Sequence, residues 1–320
     1  HRVIIGASIG IAVSPHDGAD SATLFKNADL ALYRAKGEGR STFHFFEPGM
    51  DAALQERRNI EVGLRHALAN GDLRLVFQPL LSLTDGRVCG LEALLRWYHP
   101  ERGTITPDAF VPVAEETGLI VPIGEWVLRQ ACAAASAWPD DVRVTVNLSP
   151  VQFKNRHLVD HVRDALAAAA LAPGRLELEV TETLLIGDNQ ATLRTLHQLR
   201  EIGVKISMDD FGTGYSSLNY LRVFPFDKIK IDRTFVHELS TAAGDGLAIV
   251  KAVIGLGRSL GISTAAEGVE TEAELDLVRA QGCSEVQGFF LSPPLPAAAV
   301  SRLFAGGQGF ASMATNLKAS

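Results

Sequence analysis

The sequence predicts an α/β protein whose main body is a (β/α)8, TIM-like barrel with one antiparallel strand near its start, and three observations predict it. Runs of β type alternate with stretches of helical spacing, which is the pattern of parallel strands joined by crossover helices. Six polar residues each stand where a β-run stops. Asn147 closes RVTVN, Glu179 closes RLELE, Asp209 closes VKISMD with Asp210 beside it, Lys230 closes FDKIK, Glu267 closes ISTAAE and Gln287 closes SEVQ. In a closed barrel the C-terminal strand ends build the site, so these side chains are expected to converge. Finally, 320 residues suffice for one barrel of about 250 residues with a smaller piece beside it.

The chain begins at His1 rather than Met and runs at once into a β-like segment, VIIGASIGIAV, so it is expected to be a fragment. A helical stretch follows from Ser21 to Lys36, then a short strand, STFHFF, then a charged amphipathic stretch from about Met50 to Ala69. So small a set cannot bury much of its own surface and is expected to pack on something else or to come from a cut domain. Eight β-runs start after Asp72. The first two, LRLVFQPL and RVCGLEALLRW, are separated only by a short Leu-Thr-Asp-Gly stretch around Asp85 and Gly86. No crossover helix fits there, so these two strands must be antiparallel. The remaining runs alternate with helical stretches, and Gly306 to Ser320 are small and polar and expected to be poorly ordered. The expected layout is a small α/β piece over 1–47, a linker helix over 48–70, the barrel over 71–305 and a flexible tail over 306–320.

Composition excludes several classes. With 47% hydrophobic and 21% charged residues the chain is globular rather than disordered. A net charge of -7 argues against a nucleic-acid polymer as partner, while leaving room for a small anionic substrate received by metals or local cations. Cys89, Cys132 and Cys283 are odd in number and lack metal-ligand spacing. They read as core residues of a reduced, cytoplasmic protein. The longest apolar stretch, Leu247 to Ile262, is broken by Lys251 and Arg258 and reads as an amphipathic helix, not a membrane span. Whether a parent protein is membrane-anchored stays open.

Longer motifs then carry a family resemblance. Gly90 to Trp97 reads GLEALLRW, followed by VNLSP with Asn147, ELEVTET with Glu179 and Glu182, DDFGTGYSSL with Asp209 and Asp210, KIKID with Lys230, and AEGVET with Glu267 and Glu270. In this order they resemble the EAL domains, whose name is the signature found here as Glu92, Ala93 and Leu94. The resemblance implies a barrel enzyme that hydrolyses the bacterial second messenger cyclic di-GMP to linear pGpG, acting as a homodimer. Residues 1–47 resemble the C-terminal end of a GGDEF domain through SIGIA and NADLALYRAKGEGR. The cyclase signature itself is absent, so no diguanylate cyclase activity is expected of this chain. An upstream sensory or GGDEF region is expected in the full-length protein.

The chemistry explains the residue types. A phosphodiester is anionic with a poor leaving group, and two divalent metals about 3.5 to 4 Å apart activate water and neutralise charge. Glu, Asp and Asn offer hard oxygens, and without His or Cys among them Mg²⁺ or Mn²⁺ is favoured over Zn²⁺. Ca²⁺, larger and looser in geometry, is expected to inhibit. The resemblance implies that Glu92, Asn147, Glu179 and Asp209 hold one metal, with Asp209 bridging, and that Asp210 and Glu267 serve the second. It places Lys230 beside the attacking water, where an ammonium stabilises charge on phosphorus. For Glu267 the roles of general base and of plain ligand are both open. Gln78, Leu94, Arg96 and Gln287 match substrate-facing positions, and a guanidinium suits phosphate because it forks bidentately. Gly212 and Gly214 permit positive φ in a mobile loop, which Glu182 is expected to pin, with Glu270 bracing a neighbouring loop.

Each residue also has an ordinary reading. A strand-end carboxylate serves as a helix N-cap, Lys230 as an ion-pair partner, Arg96 as a structural ion pair and Gln78 as an amide satisfying backbone. Lys36 and Arg40 read as a solvated helix end. One departure from the family pattern is Pro293 in QGFFLSPPLP, at a usually basic position; it bears on substrate affinity and leaves the ligands untouched. A non-hydrolysing cyclic di-GMP receptor is the alternative reading, and a scaffold acting only through dimerisation ranks last. The complete ligand set favours the enzyme.

Overall fold

A computed structural model describes residues 6–37, 41–186, 189–212, 221, 224, 226–239 and 245–305. Arg40, Gly214 with most of its loop, and the 306–320 tail lie outside these residues. The chain divides into two compact units, His1–His66 and Ala67–Ser320.

In the first unit, β1 (Ile9–Ile11) pairs in parallel with β2 (Phe43–Phe45), and α1 (Ser21–Gly37) connects them. Asp20 starts the helix by accepting from Thr23 N at 2.9 Å, while Arg34 and Lys36 close it at the negative end of its dipole. Leu30, Ala31 and Met50 form a small core with Phe46 and Leu54 against it. Ile9, Phe43 and Phe45 stay more than half exposed, so this unit leaves apolar surface uncovered. The division between units falls inside α2 (Met50–Asn70), the stretch expected as a linker helix.

The second unit is a closed barrel of eight strands. Around the ring these are β3 (Leu73–Ser82), β4 (Val88–His99), β6 (Arg143–Leu148), β7 (Leu176–Thr181), β8 (Lys205–Phe211), β9 (Lys228–Ile231), β10 (Ser263–Ala266) and β11 (Glu285–Val286). The short strands β5 (Gly103–Ile105) and β12 (Leu295–Pro296) add to β4 and β3. All ring pairs are parallel except those of β3, which runs antiparallel to both β4 and β11. The reversed strand is therefore the first. Its hairpin turns at Gly86, whose φ of 69° lies in the region open to glycine, while Asp85 accepts from Arg87 N at 3.2 Å.

Helices α3 (Pro107–Thr117), α4 (Ile120–Ala135), α5 (Leu158–Ala169), α6 (Asn189–Ile202), α7 (Arg233–Glu238), α8 (Asp245–Leu260), α9 (Glu272–Gln281) and α10 (Ala297–Ala305) belong to this unit. α4 buries Ile123, Val127, Leu128, Ala131 and Ala135 at helical spacing. α9 carries a capping box between Thr271 and Glu274 and ends on Gly282. Strand side chains alternate in direction. Val144, Val146, Leu178, Ile206, Met208, Ile229 and Ile231 are buried on one face, and Glu177, Glu179, Ser207, Lys228 and Lys230 alternate with them. Such a pattern sends polar groups into the barrel lumen.

Cys132 and Cys283 are core residues, as expected, and Cys89 is half-buried. All three are free, and burial pushes the Cys89 and Cys132 thiols up to about 12, which leaves them inert. Among the described residues no helix is long and apolar enough to cross a membrane.

Candidate active site at the barrel mouth

The strand-end residues meet at one end of the lumen, around a lysine. Lys230 is 1% exposed, and its Nζ lies 2.6 Å from Glu179 Oε1, 3.6 Å from Asp209 Oδ1 and 3.7 Å from Glu92 Oε2, with Glu267 Oε1 in direct contact. Three strands and one strand exit thus deliver four carboxylates to an ammonium carried by a fourth strand. Asn147 Nδ2 donates to Glu92 Oε1 at 2.7 Å. Gln287 Nε2 donates both to Glu92 Oε2 at 2.7 Å and to Gln78 Oε1 at 3.0 Å. Gln78 in turn donates to the Ser292 carbonyl at 3.1 Å, directly before Pro293.

Local backbone devices aim these groups. Between β8 and β9 the register slips, so that Met208 faces Ile229 and Phe211 faces Ile231. Asp209 and Asp210 then stand together opposite Lys230. A bulge of this kind re-aims side chains that a regular strand would send to opposite faces. Asp210 takes φ 52°, a left-handed conformation that Asp tolerates, and its N–H donates to Asp209 Oδ1 at 3.0 Å. Beyond Asn147, Ser149 ties the strand exit down by donating to Glu115 at 2.6 Å. At Gly288 any Cβ would stand 2.1 Å from the Val269 carbonyl oxygen, so only glycine lets the chain past Gln287 pack on the loop past Glu267.

Electrostatics follow from crowding. Burial pushes the Glu179 carboxyl well above its usual range, and the charges of Glu92, Asp209 and Glu267 add to this against the opposing pull of Lys230. Burial likewise raises Glu267 to about 8, with Lys230 opposing and Asp209 and Glu92 adding. Asp210 rises to about 6 through burial, then Asp209 and Asp232. Glu92 ends below its usual value, because Lys230 and the amides of Gln287 and Asn147 outweigh its burial. Lys230 is raised well above its usual value, its four carboxylates overcoming burial.

A hard divalent cation fits this donor set. Every donor is oxygen, and Glu179 Oε2 and Gln287 Oε1 are buried without a hydrogen-bond partner among the described residues. One ammonium also leaves four carboxylates under-neutralised. Among the described residues no three His, Cys, Asp or Glu side chains yet converge on a metal-sized point; Lys230 occupies the centre they surround.

The other expected residues fall nearby. Leu94 and Arg96 are half-buried and lie on β4 two and four residues beyond Glu92, on the same face and toward the rim. Arg96 donates to the carbonyl of Leu95 at 2.8 Å. Glu182 is buried where the chain leaves β7, and the loop it was expected to pin lies outside the described residues. Glu270 is exposed, its N–H donating to Glu274 at 2.8 Å. A cavity of about 170 Å³ is lined by Gln78, Glu92, Glu267 and Gln287, together with Arg233 and Phe289. The last two were missed by sequence reasoning, although Arg233 directly follows KIKID and Phe289 stands two residues past Gln287.

Known proteins share this sequence pattern and fold. The family model described as "EAL domain" matches residues 61–294. The chain is 49% identical over 301 residues to the "Bifunctional diguanylate cyclase/cyclic di-GMP phosphodiesterase MucR" of Pseudomonas aeruginosa, covering 93% of this chain and 44% of that protein. It is 42% identical over 302 residues to the "Cyclic di-GMP phosphodiesterase NbdA" of the same organism, covering 93% and 38%. The solved structure titled "PaMucR Phosphodiesterase, c-di-GMP complex" superposes with a TM-score of 0.73 at 48% identity, over 76% of this chain and 99% of that one. The chain spans less than half the length of the curated relatives named above.

Proposed function

The chain belongs to the EAL domain family, and from that membership we propose that it hydrolyses cyclic di-GMP to linear pGpG, as the phosphodiesterase part of a longer bacterial signalling protein. The observation that carries this reading is the complete oxygen-donor set of Glu92, Asn147, Glu179 and Asp209, with Asp210 and Glu267 beside it, gathered at one barrel mouth around Lys230. A receptor has no need of such a set.

Glu92, Asn147, Glu179 and Asp209 would hold one Mg²⁺ or Mn²⁺, and Asp209, Asp210 and Glu267 the second. Bound there, such ions would activate water and neutralise the phosphodiester charge. The chain's own residues do the rest. Lys230, held cationic by its carboxylates, orients the attacking water and stabilises the charge that develops on the phosphorane oxygens. Glu267, at the strand exit beside Lys230, is the candidate general base. Arg96 at the rim takes a phosphate. Gln78 and Gln287, locked to each other and to Glu92, set the wall against which the substrate lies.

A cytoplasmic location is part of this proposal, supported by the proposed substrate and by the reduced state of three free thiols. The homodimer is carried by family resemblance, and analytical ultracentrifugation of the purified chain tests it. Function itself is tested by incubating the chain with cyclic di-GMP and Mg²⁺ or Mn²⁺, with EDTA as control, and resolving products by chromatography. Metal-dependent pGpG is the expected result. Tight binding without product would make the chain a receptor.

A further inference from the structure

Beneath the mouth the lumen holds a second charged layer. Glu177 precedes Glu179 by two residues on β7, Lys228 precedes Lys230 by two on β9, and Glu285 on β11 precedes Gln287, the residue just past that strand, by two. Each lower residue therefore lies on the same strand face as its upper partner, about 6.6 Å deeper in the barrel. Lys228 Nζ is 2.7 Å from Glu177 Oε1 and 2.6 Å from Glu285 Oε2. Arg143, at the start of β6, completes a quartet with Nη2 at 2.5 Å from Glu285 Oε1 and Nε at 3.5 Å from Glu177 Oε2. The side chains of Lys228 and Glu177 are 2% exposed and that of Glu285 10%.

Ring order decides what this quartet can do. Backbone hydrogen bonds link only neighbouring strands, yet β7 and β11 stand on opposite sides of the ring, with β8, β9 and β10 between them on one side and β6, β4 and β3 on the other. Lys228 bridges those opposite walls directly. Charge points the same way. The upper layer sets one lysine against four carboxylates and repels itself, whereas the lower layer sets two cations against two carboxylates and balances. A balanced layer, with Arg143 its one part-exposed member, holds its strands together where the crowded one above repels itself.

We propose that Glu177, Lys228, Glu285 and Arg143 are positioning residues, a cross-lumen clamp that fixes the spacing of Glu179, Lys230 and Gln287 for metal binding and turnover. The proposal rests on the phosphodiesterase reading for turnover, but its metal readout stands apart from activity. Partners that orient metal ligands from behind typically change metal affinity by about 10–100-fold when removed.

The test is the paired variant Glu177→Gln/Lys228→Met, which removes one charge of each sign and leaves Arg143 with Glu285. Replacing a buried ion pair in balance is usually tolerated by the fold. Circular dichroism and a cooperative melt are expected to match wild type. Mn²⁺ affinity, read by calorimetry on the EDTA-stripped protein, is expected to weaken at least about tenfold, with kcat falling by a similar factor and KM for cyclic di-GMP changing less than about threefold. A folded double variant with wild-type Mn²⁺ affinity and kcat overturns the clamp. Should it fail to fold, Lys228→Arg keeps the charge but changes the head-group geometry; the same loss of affinity supports the clamp and wild-type affinity overturns it. A wild-type chain that binds Mn²⁺ without making pGpG removes the enzyme reading, and the affinity comparison then decides the clamp alone.

Discussion

Lys230 Nζ lies 2.6 Å from Glu179 Oε1, both side chains buried at the centre of the barrel mouth. This pair sets the charge balance of the site. Replacing it as Lys230→Met strands four carboxylates without their cation, and breaking a buried pair costs about 3–5 kcal/mol. The metal-free variant is expected to melt well below wild type, Mn²⁺ is expected to recover much of the loss, and turnover is expected to fall at least about 100-fold. Thermal melts with EDTA or Mn²⁺, together with product chromatography, check both parts. Near-normal turnover in the variant would remove Lys230 from the chemistry.

Glu92 accepts hydrogen bonds from Asn147 and Gln287 and faces Lys230, joining donors from three neighbouring positions. Glu92→Ala is expected to abolish hydrolysis while the barrel still folds, because the aliphatic shell outside the lumen is untouched. Retained turnover by product assay would sink its assignment to the metal site.

Much of this is legible in the sequence. The strand ends were legible because each β-run is short and stops on a polar residue, and the Asp85–Gly86 turn alone forced the reversed first strand. Other features were hidden for physical reasons. The bulge that brings Asp209 and Asp210 together depends on the register between β8 and β9, which no single run reveals. The lower charged layer did leave a signal: Lys228 and Lys230 in KIKID, and Glu177 and Glu179 in ELEVTET, repeat with period two inside otherwise apolar strands. Charges at that period point into one lumen. Arg233 and Phe289 were missed because they stand just past a motif rather than within one.

Asp210 separates backbone from chemistry. Its φ of 52° is open to Asp and Asn but costly for a branched side chain. Asp210→Asn is expected to melt within a few degrees of wild type and to lose most activity, whereas Asp210→Val adds a strain of about 1–2 kcal/mol to the same loss. Chemical denaturation of the two variants side by side measures the difference. Equal stabilities would argue that the strained conformation relaxes.

Gln287 holds Gln78 and Glu92 through one amide nitrogen, and its own Oε1 has no partner among the described residues. An acceptor buried in that way is suited to a donor on the substrate. Gln287→Leu is expected to raise KM for cyclic di-GMP about tenfold, near 1.4 kcal/mol of lost binding, with a smaller fall in kcat. Steady-state kinetics distinguish this from a purely catalytic defect, which would lower kcat alone.

Proton linkage supplies the remaining prediction. The Glu267 carboxyl titrates near 8 in the metal-free fold against 4.5 as its ordinary value, and Asp210 near 6 against 3.8. A raised acid binds more protons folded than unfolded, so its stabilising contribution is complete below the ordinary value and is lost as pH rises through the folded one. In EDTA the melting temperature should therefore fall between about pH 5 and pH 8. Metal ligands must be deprotonated to bind, so Mn²⁺ binding near neutral pH should release protons and tighten as pH rises over the same window. Calorimetry of Mn²⁺ binding at pH 7 in buffers of different ionisation enthalpy counts those protons directly. A binding heat independent of buffer would mean that these carboxylates are already ionised, and that Lys230 neutralises the site more fully than its four close partners allow.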